Sequence, residues 1–158
     1  MKSIDRWKVG FGGLNKTELL GLLSDNKICL NAYSAQLFMD DEFVTTASNK
    51  IAEVVGISVK ELGFNSGARY HDIVAASSSQ GLTLCPLEMA PQLRVQYLNQ
   101  EEGPYLTVAS TKIRNDDNYP NGFYLRSYSG FIWLRGYRSS SDWVWNPSDR
   151  FVFIESYA

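Results

Sequence analysis

The sequence has little of the chemistry from which metal centres and nucleophile pairs are built. Among 158 residues it has one histidine, His71, and two cysteines, Cys29 and Cys85. The cysteines lack the spacing of a zinc site, and no second imidazole is present to complete one. Nothing in the spacing pairs His71 with Cys85 as base and nucleophile either. We therefore expect no metal, no cofactor and no assembled catalytic group, and an enzymatic role is not favoured.

Long apolar stretches are also missing. No run of 18 apolar residues occurs, and the N-terminal MKSIDRWKVGFGG lacks the apolar segment of a secretory signal. The two cysteines fit buried, reduced thiols better than a disulfide. These features predict a cytoplasmic protein with no membrane partner.

The chain has little net charge, since 15 basic residues face 17 acidic ones for a formal charge of −2. A global positive field that would attract duplex nucleic acid or anionic lipid is thus excluded. Binding of single strands by stacking on rings remains open. The acidic clusters at 40–42, 101–102 and 116–117 lie in predicted loops or helix ends, and we interpret them as solvated surface charge.

What the chain does have is hydrophobic and aromatic residues, at 44% and 13% of the total. The first value is typical of a soluble globular protein, and the length suits a single domain over residues 1–158. The second favours a β-rich core or a surface on which rings stack.

Three helices are predicted in the first half of the chain. Asn15 caps the first, with a glutamate three residues on to complete a capping box, and Asn31 caps the second. The third lies in NSGARYHDIVAASSSQG, where Asn65 or Ser66 is the expected cap and Gly81 the expected end.

Strands are predicted mainly in the second half. Two strands, RWKVGF and residues 50–58, are predicted in the first half. QLRVQYL is interpreted as a strand because Pro91 disfavours a long helix and because apolar and polar residues alternate. NQEEG is then a hairpin loop and PYLTVAS the returning strand, followed by FYLRSY, FIWLRGYR, DWVW and RFVFIES. The last is apolar on both faces and should be covered on both sides. The predicted fold is α+β, with N-terminal helices followed by an antiparallel sheet of about five strands.

The densest chemical signal lies in residues 123–153, where arginines alternate with large rings. A two-residue loop at Ser129-Gly130 would pair Arg126 with Trp133 and Tyr124 with Arg135. A three-residue loop with a bulge would shift one strand and mix the two faces. With the first register, Phe123, Leu125, Ile132 and Leu134 form a core face. The other face carries Tyr124, Arg126, Tyr128, Phe131, Trp133, Arg135 and Tyr137. The candidate ligand-binding residues come from this face and the segment that follows it: Tyr124, Arg126, Trp133, Arg135, Tyr137, Arg138, Trp143 and Trp145.

Two interpretations of this face stand side by side. Arginines can cover exposed rings by cation–π contacts, each contributing roughly 0.5–1 kcal/mol. Alternatively, guanidinium forks and rings form a site for an anionic, planar or sugar-like group. The sequence thus predicts a non-catalytic binding or accessory protein with a small-molecule or protein partner. The alternatives are a hydrolase or transferase acting on an anionic small molecule, and a protein-interaction module; the oligomeric state is open.

Four stretches of the chain resemble a family of small uncharacterised bacterial proteins. They are LNAYSAQLF, ELGFNSGARYHDI, GLTLCPLEMAPQLRVQYLNQ and NGFYLRSYSGFIWLRGYRSSSDWVWNPSDRFVF. The resemblance extends over the chain from residue 17. It implies a bacterial or phage-borne cytoplasmic protein, and the family carries no activity, cofactor or catalytic residue to transfer.

Overall fold

The computed structural model describes residues 4–158, which contain four helices and nine strands. The helices are α1 (Lys16–Asp25), α2 (Ala32–Phe38), α3 (Tyr70–Ser79) and α4 (Met89–Gln96). The strands are β1 (Asp5–Phe11), β2 (Cys29–Leu30), β3 (Lys50–Ser58), β4 (Ala68–Arg69), β5 (Leu106–Val108), β6 (Gly122–Tyr128), β7 (Phe131–Tyr137), β8 (Val144–Trp145) and β9 (Arg150–Tyr157). No helix in this part of the chain has the length and apolar character needed to cross a membrane.

Seven of the strands form one mixed sheet in the order β1-β3-β9-β5-β6-β7-β2. The β5–β9 and β2–β7 pairs are parallel and the other pairs are antiparallel, while β4 and β8 form a separate two-stranded sheet. The fold is α+β, but the predicted order of helices first and a five-stranded antiparallel sheet second is wrong. The sheet takes strands from both halves of the chain, because β3 pairs with β9 and the short β2 pairs with β7, while β1 pairs with β3.

Residues 92–96 of the segment QLRVQYL belong to α4, and no part of the segment is a strand. Pro91 is the third residue of this helix, where its missing N–H would have had no partner within the helix. The apparent alternation failed because Leu93 and Arg94 are both fully buried, so the arginine does not mark a solvent face.

Two further local predictions are wrong. NQEEG is not a hairpin loop, because β5 pairs with β6 and β9 and not with the preceding segment. Neither Asn65 nor Ser66 caps α3, since Ala68 and Arg69 form β4 and the helix begins at Tyr70. Gly81 does follow the end of this helix, with a φ of 81°.

The capping predictions for the first two helices are confirmed. The Asn15 side chain accepts a hydrogen bond from the Glu18 N–H at 2.8 Å, and Glu18 accepts from the Asn15 N–H at 2.9 Å. Asn31 and Ser34 form the same reciprocal pair in α2. Phe151, Val152, Phe153 and Ile154 of β9 are all buried, which confirms that this strand is covered on both sides.

The sheet has a different cover on each side. Helices α1, α2 and α4 pack on one side, over a core that includes Val9, Leu19, Leu93, Phe123 and Leu125. On the other side Ile73 of α3 and Ala68 of β4 pack over β3 and β9, against Ile57, Phe151 and Phe153. No residue of β6 or β7 belongs to this second buried core. The outer side of the β6–β7 hairpin is therefore left without a helix above it.

Side-chain amides occupy free strand edges at both ends of the large sheet. Gly10 of β1 donates its N–H to Gln96 Oε1 at 3.1 Å, and Gln96 Nε2 donates to the Gly10 carbonyl at 2.7 Å. Asn31 makes the corresponding pair with Gly136 of β7, at 2.8 and 2.9 Å. Such contacts satisfy backbone groups that another chain would otherwise pair with.

Candidate functional site

The β6–β7 hairpin places arginines and rings together on its outer side. Ser129 and Gly130 have φ values of 53° and 81°, so a two-residue turn with positive φ at both central positions joins the strands. The pairs Arg126 with Trp133 and Tyr124 with Arg135 confirm the register expected from the sequence.

We call the resulting surface the aromatic face and define it as Tyr105, Tyr124, Arg126, Tyr128, Phe131, Trp133 and Arg135. Phe131 is 58% exposed and Tyr128 is 48% exposed, at the turn end of the hairpin. Tyr124, Arg126, Trp133 and Arg135 are half-buried. Tyr105 was missed at the sequence level, because it joins the face only through the pairing of β5 with β6. Its position one residue before buried Leu106 is the signal that indicates an outward side chain.

Within the aromatic face, cations and rings contact each other in a continuous series. The Arg126 guanidinium lies 4.2 Å from the Tyr128 ring centroid and 4.6 Å from that of Tyr105. Tyr105 stacks on Tyr124 with centroids 4.8 Å apart and an interplanar angle of 21°. Arg135 continues the series, at 5.8 Å from the Tyr124 ring and 5.0 Å from the Trp133 ring.

The guanidiniums of Arg126 and Arg135 have rings as neighbours but no anion. Both Nε atoms are shielded from solvent without a hydrogen-bond partner, and neither side chain has a carboxylate partner among residues 4–158. Elsewhere, Arg6 pairs with Glu155 and Arg114 with Asp40. A half-buried cation without a counter-charge has lost part of its hydration, and an added anion would compensate for that loss.

The β6–β7 hairpin is anchored from its core side by Arg94. This fully buried side chain donates to the Trp133 carbonyl at 3.1 Å, to Gln100 Oε1 at 2.7 Å and to the Tyr97 carbonyl. Gln100 in turn donates to the Leu125 carbonyl at 3.2 Å. Burial lowers the pKa of Arg94 to about 10. These bonds hold both strands of the hairpin from beneath, so the backbone under the aromatic face is fixed.

The remaining candidate residues lie at the border of this face or beyond it. Tyr137 is enclosed between Tyr124 and Trp145, with centroid distances of 6.4 and 5.7 Å, and burial raises its pKa. Trp145 packs edge-on against Phe151 at 4.9 Å and so borders the second core. Arg138 donates to Asn118 Oδ1 at 3.1 Å, and Trp143 is exposed on the following loop. Of the predicted set, the hairpin therefore brings together Tyr124, Arg126, Trp133 and Arg135, with Tyr137 against Tyr124 at the border.

A separate groove of about 600 Å³ lies between α3 and the segments 110–115 and 139–141. Its lining includes Tyr70, Val74, Leu84, Lys112 and Asn121, and none of the sequence-predicted candidates. The Tyr70 hydroxyl donates to the Ser110 carbonyl at 2.9 Å, and its pKa is raised by burial. Asn121 likewise exchanges hydrogen bonds with Ser139, so several polar groups of this groove already have partners within the protein.

His71 and Cys85 are not arranged as a catalytic pair. The His71 side chain is 92% exposed, whereas Cys85 is buried and its thiol donates to the Val152 carbonyl at 3.7 Å. Burial raises the pKa of the Cys85 thiol, which disfavours the nucleophilic thiolate. Among residues 4–158, no group of three or more His, Cys, Asp or Glu side chains is arranged to hold a metal ion.

Asp40 corrects one charge assignment from the sequence. It is buried and not solvated: Arg114 donates to its two carboxylate oxygens at 2.9 and 2.7 Å, and Tyr119 and the Glu42 N–H also donate to it. These donors lower the pKa of Asp40 well below its usual range. Its partners bind the 112–121 loop to the end of α2, so the cluster is structural.

Comparison with protein-family models, curated proteins and solved structures gives no match for this chain. The resemblance to a bacterial family stays a prediction from the quoted stretches. The geometry of the aromatic face is therefore the feature from which a function can be inferred.

Proposed function

We propose that the protein is a non-catalytic binding protein whose ligand lies on the aromatic face and carries both a planar group and negative charge. The observation that supports this proposal is the pair Arg126 and Arg135, two half-buried guanidiniums with rings on either side and no carboxylate partner in the described chain.

Each part of the face has a role in this proposal. An anionic group on the ligand would accept charge-assisted hydrogen bonds from the guanidiniums, each contributing about 1.5–3 kcal/mol. A planar group would stack on the exposed rings of Tyr128 and Phe131. Because Arg94 holds the Trp133 backbone from the core side, little ordering cost would be incurred on binding.

A protein-interaction module is the second candidate function. Tyr128 and Phe131 are large, half-exposed rings directly opposite each other at the turn end of the hairpin. Aromatic residues are enriched at protein interfaces, and such a pair would suit a partner pocket. We also propose a cytoplasmic location, which the free thiols of Cys29 and Cys85 support.

A thermal-shift screen of nucleotides, sugar phosphates and neutral sugars tests the proposal. We expect an anionic, ring-bearing compound to raise the Tm of the wild type and to have little effect on Arg135→Ala. Arg138→Ala is the matched control, because Arg138 contacts Asn118 outside the aromatic face and should leave the shift unchanged. If no compound stabilises the wild type and Arg135→Ala alone lowers the Tm by several degrees, the arginines serve only to cover rings.

A further inference from the structure

The aromatic face is open and does not belong to an enclosed cavity. Three concave sites in the part of the chain that the structure describes are lined by other residues, and none of them includes Tyr124, Arg126, Trp133 or Arg135. Compact small molecules are usually bound in concave pockets that enclose most of their surface. An uncovered sheet face with exposed rings suits an extended ligand laid across it instead.

The face repeats the same two chemical groups along both strands. Arg126 lies opposite Trp133 and Arg135 lies opposite Tyr124, so the two cations are diagonal neighbours roughly 7–8 Å apart at Cα. Each has a ring on either side. Such a repeat of cation and ring matches a polymer that repeats a negative charge and a planar base.

The charge balance favours a single strand over a duplex. A duplex presents its bases stacked and hidden, so a protein must hold it chiefly through many phosphate contacts. The chain has a net charge of −2, and the aromatic face offers only two guanidiniums. The Glu102 carboxylate, which accepts from the Ser129 N–H at 3.2 Å, adds negative charge near the turn. Unstacked bases, by contrast, gain their binding free energy from the rings themselves.

We infer that the ligand of the aromatic face is single-stranded nucleic acid, with bases stacked on Tyr128, Phe131 and Trp133 and phosphates bound by Arg126 and Arg135. This inference rests on the proposed function of the face and specifies its ligand. The nucleobases supply the planar groups and the backbone supplies the anions.

Fluorescence anisotropy with labelled oligo(dT) and oligo(U) of about 12 nucleotides tests the inference, since stacking sites of this kind span about 4–16 nucleotides. With two phosphates neutralised, log K should fall with log salt at a slope of about −1.4, which is about a sevenfold weakening from about 50 to 200 mM salt. A duplex of the same length should compete poorly.

The variants separate charge from stacking. Arg135→Ala should weaken binding roughly tenfold or more and halve the salt slope, because one phosphate contact is lost. Phe131→Ala should weaken binding roughly tenfold and leave the slope unchanged, because a stacking contact carries no counterion. Arg138→Ala should leave both quantities unchanged. The Tm of each variant, measured alongside, shows that the fold is intact.

Each contrary result has a defined meaning. Tight binding whose slope and affinity are unchanged in Arg135→Ala would overturn the inference, because the strand would then lie elsewhere. If no oligonucleotide binds but a small anion gives an Arg135-dependent Tm shift, the inference is wrong and the proposed function stands. If neither an oligonucleotide nor a small anion binds, the inference and the proposed function are both wrong. A wild-type dimer that Phe131→Ala dissociates, with no oligonucleotide binding, would assign the face to a second copy of this chain.

Discussion

The side chain of Asn31 forms three hydrogen bonds that join a helix cap to a strand edge through Gly136. Its Oδ1 accepts from the Ser34 N–H at 2.9 Å and from the Gly136 N–H at 2.8 Å, and its Nδ2 donates to the Gly136 carbonyl at 2.9 Å. One residue therefore begins α2 and fixes the distance of this helix from β7.

Asn31→Ala should lower the free energy of unfolding by about 2–4 kcal/mol, since it removes the cap and leaves the Gly136 edge without its partners. Asn31→Ser is the matched control, because serine restores the cap but does not reach the strand edge. This variant should show about half of the fall in free energy of unfolding that Asn31→Ala shows. Urea denaturation measures both. Equal stability of the alanine and serine variants would show that the cap contributes nothing.

Gly136 allows α2 to approach the sheet closely. A Cβ at this position would lie 2.6 Å from the Ser34 nitrogen and 2.6 Å from the Tyr33 carbonyl carbon, which are backbone atoms that cannot rotate away. We expect Gly136→Ala to destabilise the protein by at least about 1–3 kcal/mol.

Gly21 provides the control for Gly136. It lies within α1, and a Cβ there would contact nothing within 4 Å. Gly21→Ala should stabilise the protein by about 0.5–1 kcal/mol, because alanine has the higher helix propensity. Opposite signs for the two substitutions, measured by the same urea titration, are the expected result. A neutral Gly136→Ala would contradict the close packing of α2.

The Asp40–Arg114 pair should make stability depend on acid pH. The folded-state pKa of Asp40 is lowered, first by the Arg114 hydrogen bonds, so its contribution is fully present above the unfolded pKa of about 3.9. The contribution is lost as pH falls below that value. Asp40→Asn should therefore be less stable than the wild type at pH 7, and the difference should shrink toward pH 2.

Urea midpoints at neutral and acid pH measure this effect. Asp41 is the exposed neighbour of Asp40, and Asp41→Asn should leave the midpoints close to wild type. A constant difference between Asp40→Asn and the wild type across the pH range would show that the ionised carboxylate is not what holds the loop.

Local patterns in the sequence predicted the parts of the fold that local chemistry determines. The capping box at Asn15 and the cap at Asn31 depend on residues three apart, and the Ser129-Gly130 turn sets the β6–β7 register within a few residues. Face alternation then placed Arg126 and Arg135 correctly beside their rings.

The predictions that failed depended on contacts distant in sequence. β5 lies between β6 and β9, and no local signal indicates a parallel partner. Arg94 suggested an exposed face, yet it is buried: the Gln100 side chain and the Trp133 and Tyr97 carbonyls accept from its two terminal nitrogens, while its Nε has no partner among residues 4–158. Alternation along the strands also could not show that Trp145 contacts both Tyr137 and Phe151 and so borders the second core.

The turn of the hairpin offers a test of how firmly the aromatic face is held. Ser129 has a φ of 53°, a conformation that asparagine tolerates better than serine. Ser129→Asn should raise the free energy of unfolding, and the increase should lie between a few tenths of a kcal/mol and about 1 kcal/mol. Gly130→Ala, at a φ of 81°, should lower it by about 1–2 kcal/mol. If both variants match the wild type in urea denaturation, the turn does not determine the register.

Cys29 can report on occupancy of the aromatic face. It lies opposite Trp133 in the β2–β7 pair and is half-buried, whereas Cys85 is buried and its raised pKa disfavours the reactive thiolate. An alkylating reagent should therefore modify one thiol rapidly and the other only on unfolding, and Cys29→Ser should abolish the rapid phase. Mass spectrometry follows the modification, and a ligand bound against Trp133 should slow the rapid phase severalfold.

Two results would contradict these expectations. Rapid modification of Cys85 in the folded protein would contradict its burial. An unchanged rate of Cys29 modification at saturating oligo(dT) would place the nucleic-acid strand away from Trp133.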